Sequence, residues 1–233
     1  MGVDGNTDSE WAFALFLDCL EKAGYDPDDE EYMTNGFGHT TLRKAMLQTI
    51  KRINAFVASI PADSRKDDGE CDTDRRSLLN FAVTDGHSVV CTRYVSSKTD
   101  EAASLYFSSG TDWTRSTASS KEKGLYKMER RDKGADIVLV ASEPLTFERD
   151  DWVTVPTNST ITIHKQTLLI HPIVDEFYNH SPSYQRSSGF AVSKGLVSTA
   201  PGATQGTSLT PGITPAGTPG AEGEKGERQL GGI

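Results

Sequence analysis

The chain has 233 residues and a formal net charge of -9 at pH 7, and 36% of its residues are hydrophobic. This length gives room for one domain with a sizeable core, and the acidic balance argues against nucleic acids and anionic membranes as partners. The sequence has neither an apolar run of about eighteen residues, as a membrane span needs, nor an amino-terminal secretory pattern. We therefore predict a cytoplasmic protein.

The three cysteines, Cys19, Cys71 and Cys91, are odd in number and widely spaced. This pattern predicts neither a disulfide framework nor a metal site, and nothing in the sequence indicates a cofactor. Cys19 lies on the apolar face of a predicted helix and Cys91 lies inside a strand-like run. Both are therefore expected to be buried packing residues.

The first predicted helix begins at Thr7. Thr7 and Glu10 have the spacing of a capping box, and apolar residues then recur at three- and four-residue intervals until Gly24. Asp8 lies in the first turn, where the helix dipole and free N–H groups favour an anion, and a carboxylate held there can bind a substrate ammonium group. Compensation of the dipole alone is the other interpretation of Asp8, since acidic residues are common in first turns.

A second amphipathic helix is predicted from Thr41 to about Ser59, with Thr40 as its cap and Pro61 as its stop. Its basic outer face is interpreted as solvated rather than bound to a membrane. The acidic run at 26–31 before it predicts a loop or the start of a short helical turn. It lacks the alternating ligands and central glycine of a calcium site.

The chain then changes to β-rich runs. Asp85-Gly86 between two such runs is a strong hairpin signal, and a further strand is predicted at 104–109. A polar insertion follows to about residue 134, where three basic residues could bind an anion, although a solvated loop is the preferred interpretation. They are Arg130, Arg131 and Lys133.

The near-continuous apolar run at 136–142 is typical of a strand buried on both faces. Runs at 152–155, 160–164 and 167–171 predict a terminal β-meander. His164 and His171 lie near strand ends and are interpreted as edge or hydrogen-bonding residues.

The composition divides the chain into a domain at 1–180 and a Ser/Thr/Gly/Pro-rich tail at 181–233. The tail is predicted to be disordered. Its few Gly-x-y triplets are too few for a free-standing collagen helix.

The segment Gly5–Glu10, followed by an aromatic-rich helix, resembles the Gly-x-Thr-Asp-Ser-Glu motif of class-II glutamine amidotransferases. The likeness is greatest to the fungal amidotransferase subunit of the Dug glutathione-degradation complex. The runs 140–145 and 151–159 are similar to the family's Ala-Ser-Glu element and to the segment that follows it. The resemblance covers about residues 5–172, and it implies an α+β fold that is part of the four-layer αββα sandwich of N-terminal-nucleophile hydrolases.

The resemblance further implies that Asp8 binds the α-amino group of a γ-glutamyl substrate, either glutamine or glutathione, and that a partner subunit takes part. The family's N-terminal cysteine nucleophile has no counterpart here, because residue 2 is Gly2 and no cysteine precedes Cys19. Its arginine for the substrate carboxylate and its oxyanion residues are also missing. The sequence therefore assigns no catalytic residue to this chain, which resembles the C-terminal part of a split or truncated domain.

Three functions stay open from the sequence. The chain is part of a γ-glutamyl amide hydrolase, or a non-catalytic module that binds the partner subunit, or an unrelated binding domain with an accidental motif. Because a sandwich without half of its sheet elements leaves apolar faces and strand edges uncovered, we expect poor solubility of the chain alone. A monomer with a sharp, cooperative melt would contradict this expectation.

Overall fold

The computed structural model describes residues 3, 5–61, 75–115, 126–129, 136–146, 151–181 and 184–197. These residues form four helices and nine strands. The helices are α1 (Asp8–Lys22), α2 (Glu30–Asn35), α3 (His39–Ser59) and α4 (Gly189–Ser193). The strands are β1 (Ala82–Thr84), β2 (Ser88–Arg93), β3 (Tyr106–Gly110), β4 (Asp112–Arg115), β5 (Tyr126–Glu129), β6 (Ile137–Ala141), β7 (Val153–Thr154), β8 (Ser159–His164) and β9 (Thr167–Pro172).

The strands form three antiparallel sheets. The largest has the order β1-β2-β8-β9, the second has the order β6-β3-β7, and β4 pairs with β5 alone. The predicted hairpin at Asp85-Gly86 joins β1 to β2, and a turn at Lys165-Gln166 joins β8 to β9. The meander prediction is wrong for β7, which pairs with β3 in the second sheet.

The helices α1 and α3 pack on one face of the four-stranded sheet. Side chains of a strand alternate between its two faces, so that Val90 of β2 and Tyr94, which directly follows β2, point toward the helices. There they join a core with Phe16, Leu20 and Ile50. This core holds the amino-terminal helices, and hence Asp8, against the sheet.

A second core lies on the opposite face of the same sheet. Cys91 and Ile161 are register partners on β2 and β8, and they pack with Leu105 and Val155 and with half-buried residues of the second sheet. The described residues thus form three layers, in the order helices, sheet, sheet. The fold is mixed α and β with antiparallel sheets, as predicted.

The strand β6 was predicted to be buried on both faces, and this is wrong. All five of its residues are only half-buried, because β6 is the edge strand of the three-stranded sheet. An apolar run of this kind does not reveal whether a strand lies at the centre or at the edge of a sheet.

The segment 184–197 is part of the described fold, whereas the sequence predicted disorder from residue 181. For these residues the prediction is wrong, because Phe190 on α4 is 4% exposed and packs against Val95 and Ala102. The Arg76 guanidinium lies 3.9 Å above the Phe190 ring. Residues 198–233 and the basic residues at 130, 131 and 133 lie outside the described residues.

The second predicted helix begins slightly earlier than expected. Gly38, with φ of 81°, precedes the first residue of α3, and no side chain caps the helix. Thr40 is therefore not the cap. Among the described residues, no helix combines the length and apolar composition that a membrane crossing requires.

Candidate functional site

The first turn of α1 holds the candidate substrate-binding residue. The predicted capping box is confirmed, since the Glu10 backbone N–H donates to the Thr7 hydroxyl at 3.3 Å and the Thr7 N–H donates to the Glu10 carboxylate at 3.2 Å. A side chain at Gly5 would collide with that carboxylate. The motif's glycine therefore leaves room for the box to close, which fixes the backbone on both sides of Asp8.

The Asp8 carboxylate is exposed, and the Ser9 hydroxyl donates to it at 3.4 Å. No basic side chain among the described residues pairs with Asp8. A carboxylate at this position is stabilised by the positive end of the helix dipole. It is thus accessible to a cation from outside the chain.

Asp8 lies at the edge of a cavity of about 570 Å³. This volume is within the range of small-molecule sites. The cavity lies between α1, the carboxyl-terminal half of α3 and the segment 78–81. Apart from Asp8, Ser9, Asp18 and Arg52, its lining is apolar, from Trp11, Ala12, Ala14, Leu15, Ile53, Phe56, Leu78, Leu79 and Phe81.

The other charged groups of the cavity neutralise one another. Asp18 pairs with Arg52 and, at 2.8 Å, with Lys22. Hydrogen bonds from these two cations hold the pKa of Asp18 below its usual value. Of the two carboxylates at the cavity, only Asp8 has no cationic partner within the described residues.

Large aromatic side chains are exposed on α1 and on the carboxyl-terminal half of α3. Trp11 is 58%, Phe13 55% and Phe56 69% exposed. A second cavity of about 280 Å³, which Phe13 and Phe16 help to line, adjoins the first and shares Ser9 and Ala12 with it. Apolar surface of this extent marks binding sites or interaction surfaces in soluble proteins.

Two buried polar networks hold the sheets behind this surface. Arg93 is 1% exposed and donates to Glu101 at 2.7 Å and to three backbone carbonyls. The Tyr94 hydroxyl donates to Asp175 at 2.6 Å and accepts from Asn54 at 2.7 Å. Burial and the Asp175 carboxylate raise the pKa of Tyr94. Sequence reasoning missed both networks, because no local pattern marks the short-range contacts of Arg93, and Val155, Asn54 and Asp175 lie 40 or more positions from their partners.

The described cysteines are unsuited to act as nucleophiles. Cys19 and Cys91 are both buried, as predicted, and burial raises the pKa of the Cys91 thiol to about 11. Only the thiolate is strongly nucleophilic. Cys71 lies outside the described residues.

The histidines predicted near strand ends have structural contacts. The His164 Nδ1 lies 2.9 Å from the Ser88 hydroxyl, which is itself buried. His171 lies on β9, the edge strand of the four-stranded sheet. Within the described ranges, no group of three or more His, Cys, Asp and Glu side chains could hold a metal ion.

Over 199 residues the chain is 52% identical to the probable glutamine amidotransferase DUG3 of Saccharomyces cerevisiae. This part is 85% of the chain but 52% of the yeast protein, so the chain spans about half the length of that relative. The chain is also similar to a solved structure, a glutamine aminotransferase class-II domain protein from Silicibacter pomeroyi. That similarity has 20% identity and a TM-score of 0.40 and covers 74% of this chain and 54% of that chain. No family model matches the chain.

Proposed function

Because the chain belongs to the class-II glutamine amidotransferase family, we propose that it forms the substrate-binding and scaffold part of a γ-glutamyl amide hydrolase. The substrate is glutamine or glutathione, and a partner subunit completes the working enzyme. The observation that carries this proposal is the exposed Asp8 carboxylate, fixed by a closed capping box beside a cavity of about 570 Å³. The identity of 52% to a probable glutamine amidotransferase supports it.

In the proposed reaction, Asp8 binds the α-amino group of the substrate. A γ-glutamyl compound carries an ammonium group at the end remote from the amide bond that breaks. A charge-assisted hydrogen bond from that ammonium group to a positioned carboxylate fixes this end of the substrate. The length of the glutamyl side chain then determines where the amide bond lies. The role of Asp8 is therefore orientation of the substrate rather than chemistry on the amide.

The nucleophile of the proposed enzyme comes from outside the described residues. Cys19 and Cys91 are buried, and a cysteine inside the chain has no free α-amine to act as its base. We therefore place the attacking thiol, its base and the oxyanion donors on a segment that packs against the α1 end of the fold. We also propose a fourth layer, as in an αββα sandwich, which would cover the outer face of the three-stranded sheet.

The role of Asp8 is tested with a matched pair of variants of the complete protein. Asp8→Asn removes the charge at the site, whereas Glu21→Gln removes one charge from an exposed position of the same helix. We expect Asp8→Asn to weaken glutamine binding at least about tenfold, or about 1.4 kcal/mol, and Glu21→Gln to leave it unchanged.

A second ligand makes the test specific. Glutaramate is glutamine without its α-amino group, so that it should bind the wild-type protein and the Asp8→Asn variant equally. If both ligands lose the same affinity on substitution, Asp8 acts through the fold and the proposed role is wrong.

The alternative function is a non-catalytic interaction module that binds the partner subunit. The exposed Trp11 and Phe56 at the cavity and the exposed Phe13 on the same helix as Trp11 favour it, because large apolar patches mark protein interfaces. Intact mass and N-terminal sequence of the endogenous protein decide between the two functions. A protein that begins with cysteine supports the enzyme, and a protein that begins at Met1 or Gly2 supports the module.

A further inference from the structure

We propose that the amino-terminal end of α3 and the facing strands β8 and β9 form a binding site for a phosphate group. This inference does not depend on the proposed function. Asp8 lines its cavity together with Phe56, near the carboxyl-terminal end of α3. Arg43 lies thirteen positions before Phe56, which is about 20 Å along the helix, so this site is separate from the cavity at Asp8.

The site is centred on Arg43, a half-buried arginine without an acidic partner among the described residues. The Arg43 Nε donates to the Thr160 hydroxyl at 3.0 Å, and Arg43 forms no ion pair among the described residues. Burial lowers the pKa of Arg43, which shows that its charge is partly removed from water. Its terminal Nη groups keep donors for a ligand, since within the described chain they find no acceptor.

Two buried polar side-chain atoms of the sheet, the Thr162 hydroxyl and the His171 Nδ1, face the amino-terminal part of α3. Thr162 lies between Thr160, which contacts Arg43, and His164, whose ring stacks on that of His39 at 5.0 Å between centroids. Alternate residues of a strand point the same way, so the Thr162 side chain faces α3 between these two contacts. Thr162 is 1% exposed, and its hydroxyl has no partner in the described part of the chain.

His171 contributes a further buried atom. It is the register partner of Thr160 on β9, and directly opposite residues of an antiparallel pair share one face. Its Nδ1 is buried and has no hydrogen-bond partner among the described residues. An unpaired buried polar group is unfavourable, and a ligand oxygen would satisfy both His171 and Thr162.

The amino-terminal end of α3 adds a positive electrostatic field that favours an anion. α3 has 21 residues, no side-chain cap and no acidic residue in its first turn, so its positive end lacks the anion that such ends usually have. Side chains of a helix lean toward its amino terminus, which brings Arg43 over that first turn. The donors therefore come from a helix and two strands, and this spread of directions suits the several oxygens of a phosphate better than the two oxygens of a carboxylate.

The test uses the complete protein and follows its thermal unfolding with increasing inorganic phosphate at constant ionic strength. We expect the melting temperature to rise and saturate, because a ligand of the folded state stabilises it. Arg43→Gln should weaken the apparent phosphate affinity about tenfold or more. Lys44→Gln removes the same charge from the neighbouring exposed position and should change the affinity less than about twofold.

Thr162→Val is the second variant. It removes a hydroxyl without a partner and keeps the shape, so the fold should be as stable as the wild type or more so. Phosphate affinity should nevertheless fall several-fold. The proposal is overturned if acetate or chloride raises the melting temperature as much as phosphate, or if Arg43→Gln and Lys44→Gln behave alike.

Titration with glycerol 3-phosphate identifies the source of the phosphate group. Stronger binding than that of inorganic phosphate assigns the site to a phosphate monoester, and equal or weaker binding assigns it to the free ion.

Discussion

The buried ion pair between Arg93 and Glu101 offers a quantitative test of how the sheets are held together. Arg93 donates from Nε and both Nη groups, to Glu101 and to the carbonyls of Ala102, Ala103 and Val155. The substitution Arg93→Met keeps much of the side-chain volume but removes every donor. The Glu101 carboxylate, whose side chain is 10% exposed, then loses its cation inside the protein.

Two effects determine the expected loss of stability. Removal of one partner of a buried ion pair costs about 3–5 kcal/mol, because the other charge stays buried. Carbonyls left without a donor contribute to the same loss. In the double variant Arg93→Met/Glu101→Gln, neither of these two positions carries a buried charge. We therefore expect the second substitution to recover about 1–3 kcal/mol of the first loss, which is a typical coupling energy for residues in contact.

The assay is urea unfolding of the wild type, both single variants and the double variant. Lys22→Met is the control, because it removes the cation of a solvent-exposed ion pair. The Lys22 side chain is 65% exposed and that of its partner Asp18 is 38% exposed, and such surface pairs contribute less than about 1 kcal/mol. If Arg93→Met costs no more than Lys22→Met, or if the two single effects add to give the double effect, the buried pair does not stabilise the sheets as described.

Two further predictions follow from the pKa shifts. Burial raises the pKa of Asp85, but backbone N–H groups of Ser88, His87 and Phe37 outweigh it and bring the pKa below 3.8. The stabilisation is therefore present above the unfolded pKa and lost as pH falls through the lower folded pKa, so Asp85→Asn should flatten the fall in unfolding free energy below about pH 4. An unchanged slope would contradict this. For Cys91, a pKa of about 11 leaves roughly 0.1% thiolate at pH 8. Mass spectrometry should therefore find Cys91 labelled by a thiol reagent only under unfolding conditions, and rapid labelling of the folded protein would refute its burial.

The sequence predicted best those features whose causes are local. The helix α1 and its capping box depend on residues three apart, so the spacing of Thr7 and Glu10 was enough. The hairpin at Asp85-Gly86 likewise depends on a short turn. The family was also predictable, because its motif around Asp8 lies in one continuous segment.

Features that depend on distant residues were not predictable. The strand β7 joins the second sheet through register partners in β3, almost fifty residues away. Phe190 was predicted to lie in a disordered tail, yet it packs under Arg76 and against Val95. The start of α3 at His39 coincides with ring stacking on His164, a contact that neither segment reveals alone. The same holds for the donors around Arg43.

The pairing of β2 with β8 has a consequence for the folding kinetics of the protein. Its nearest register partners, Arg93 and Ser159, are 66 positions apart, so closing this loop costs about 4 kcal/mol of chain entropy before any contact is gained. The hairpins β1–β2 and β8–β9 close over short distances and can form early. We therefore expect the seam between β2 and β8 to form last and to limit the folding rate.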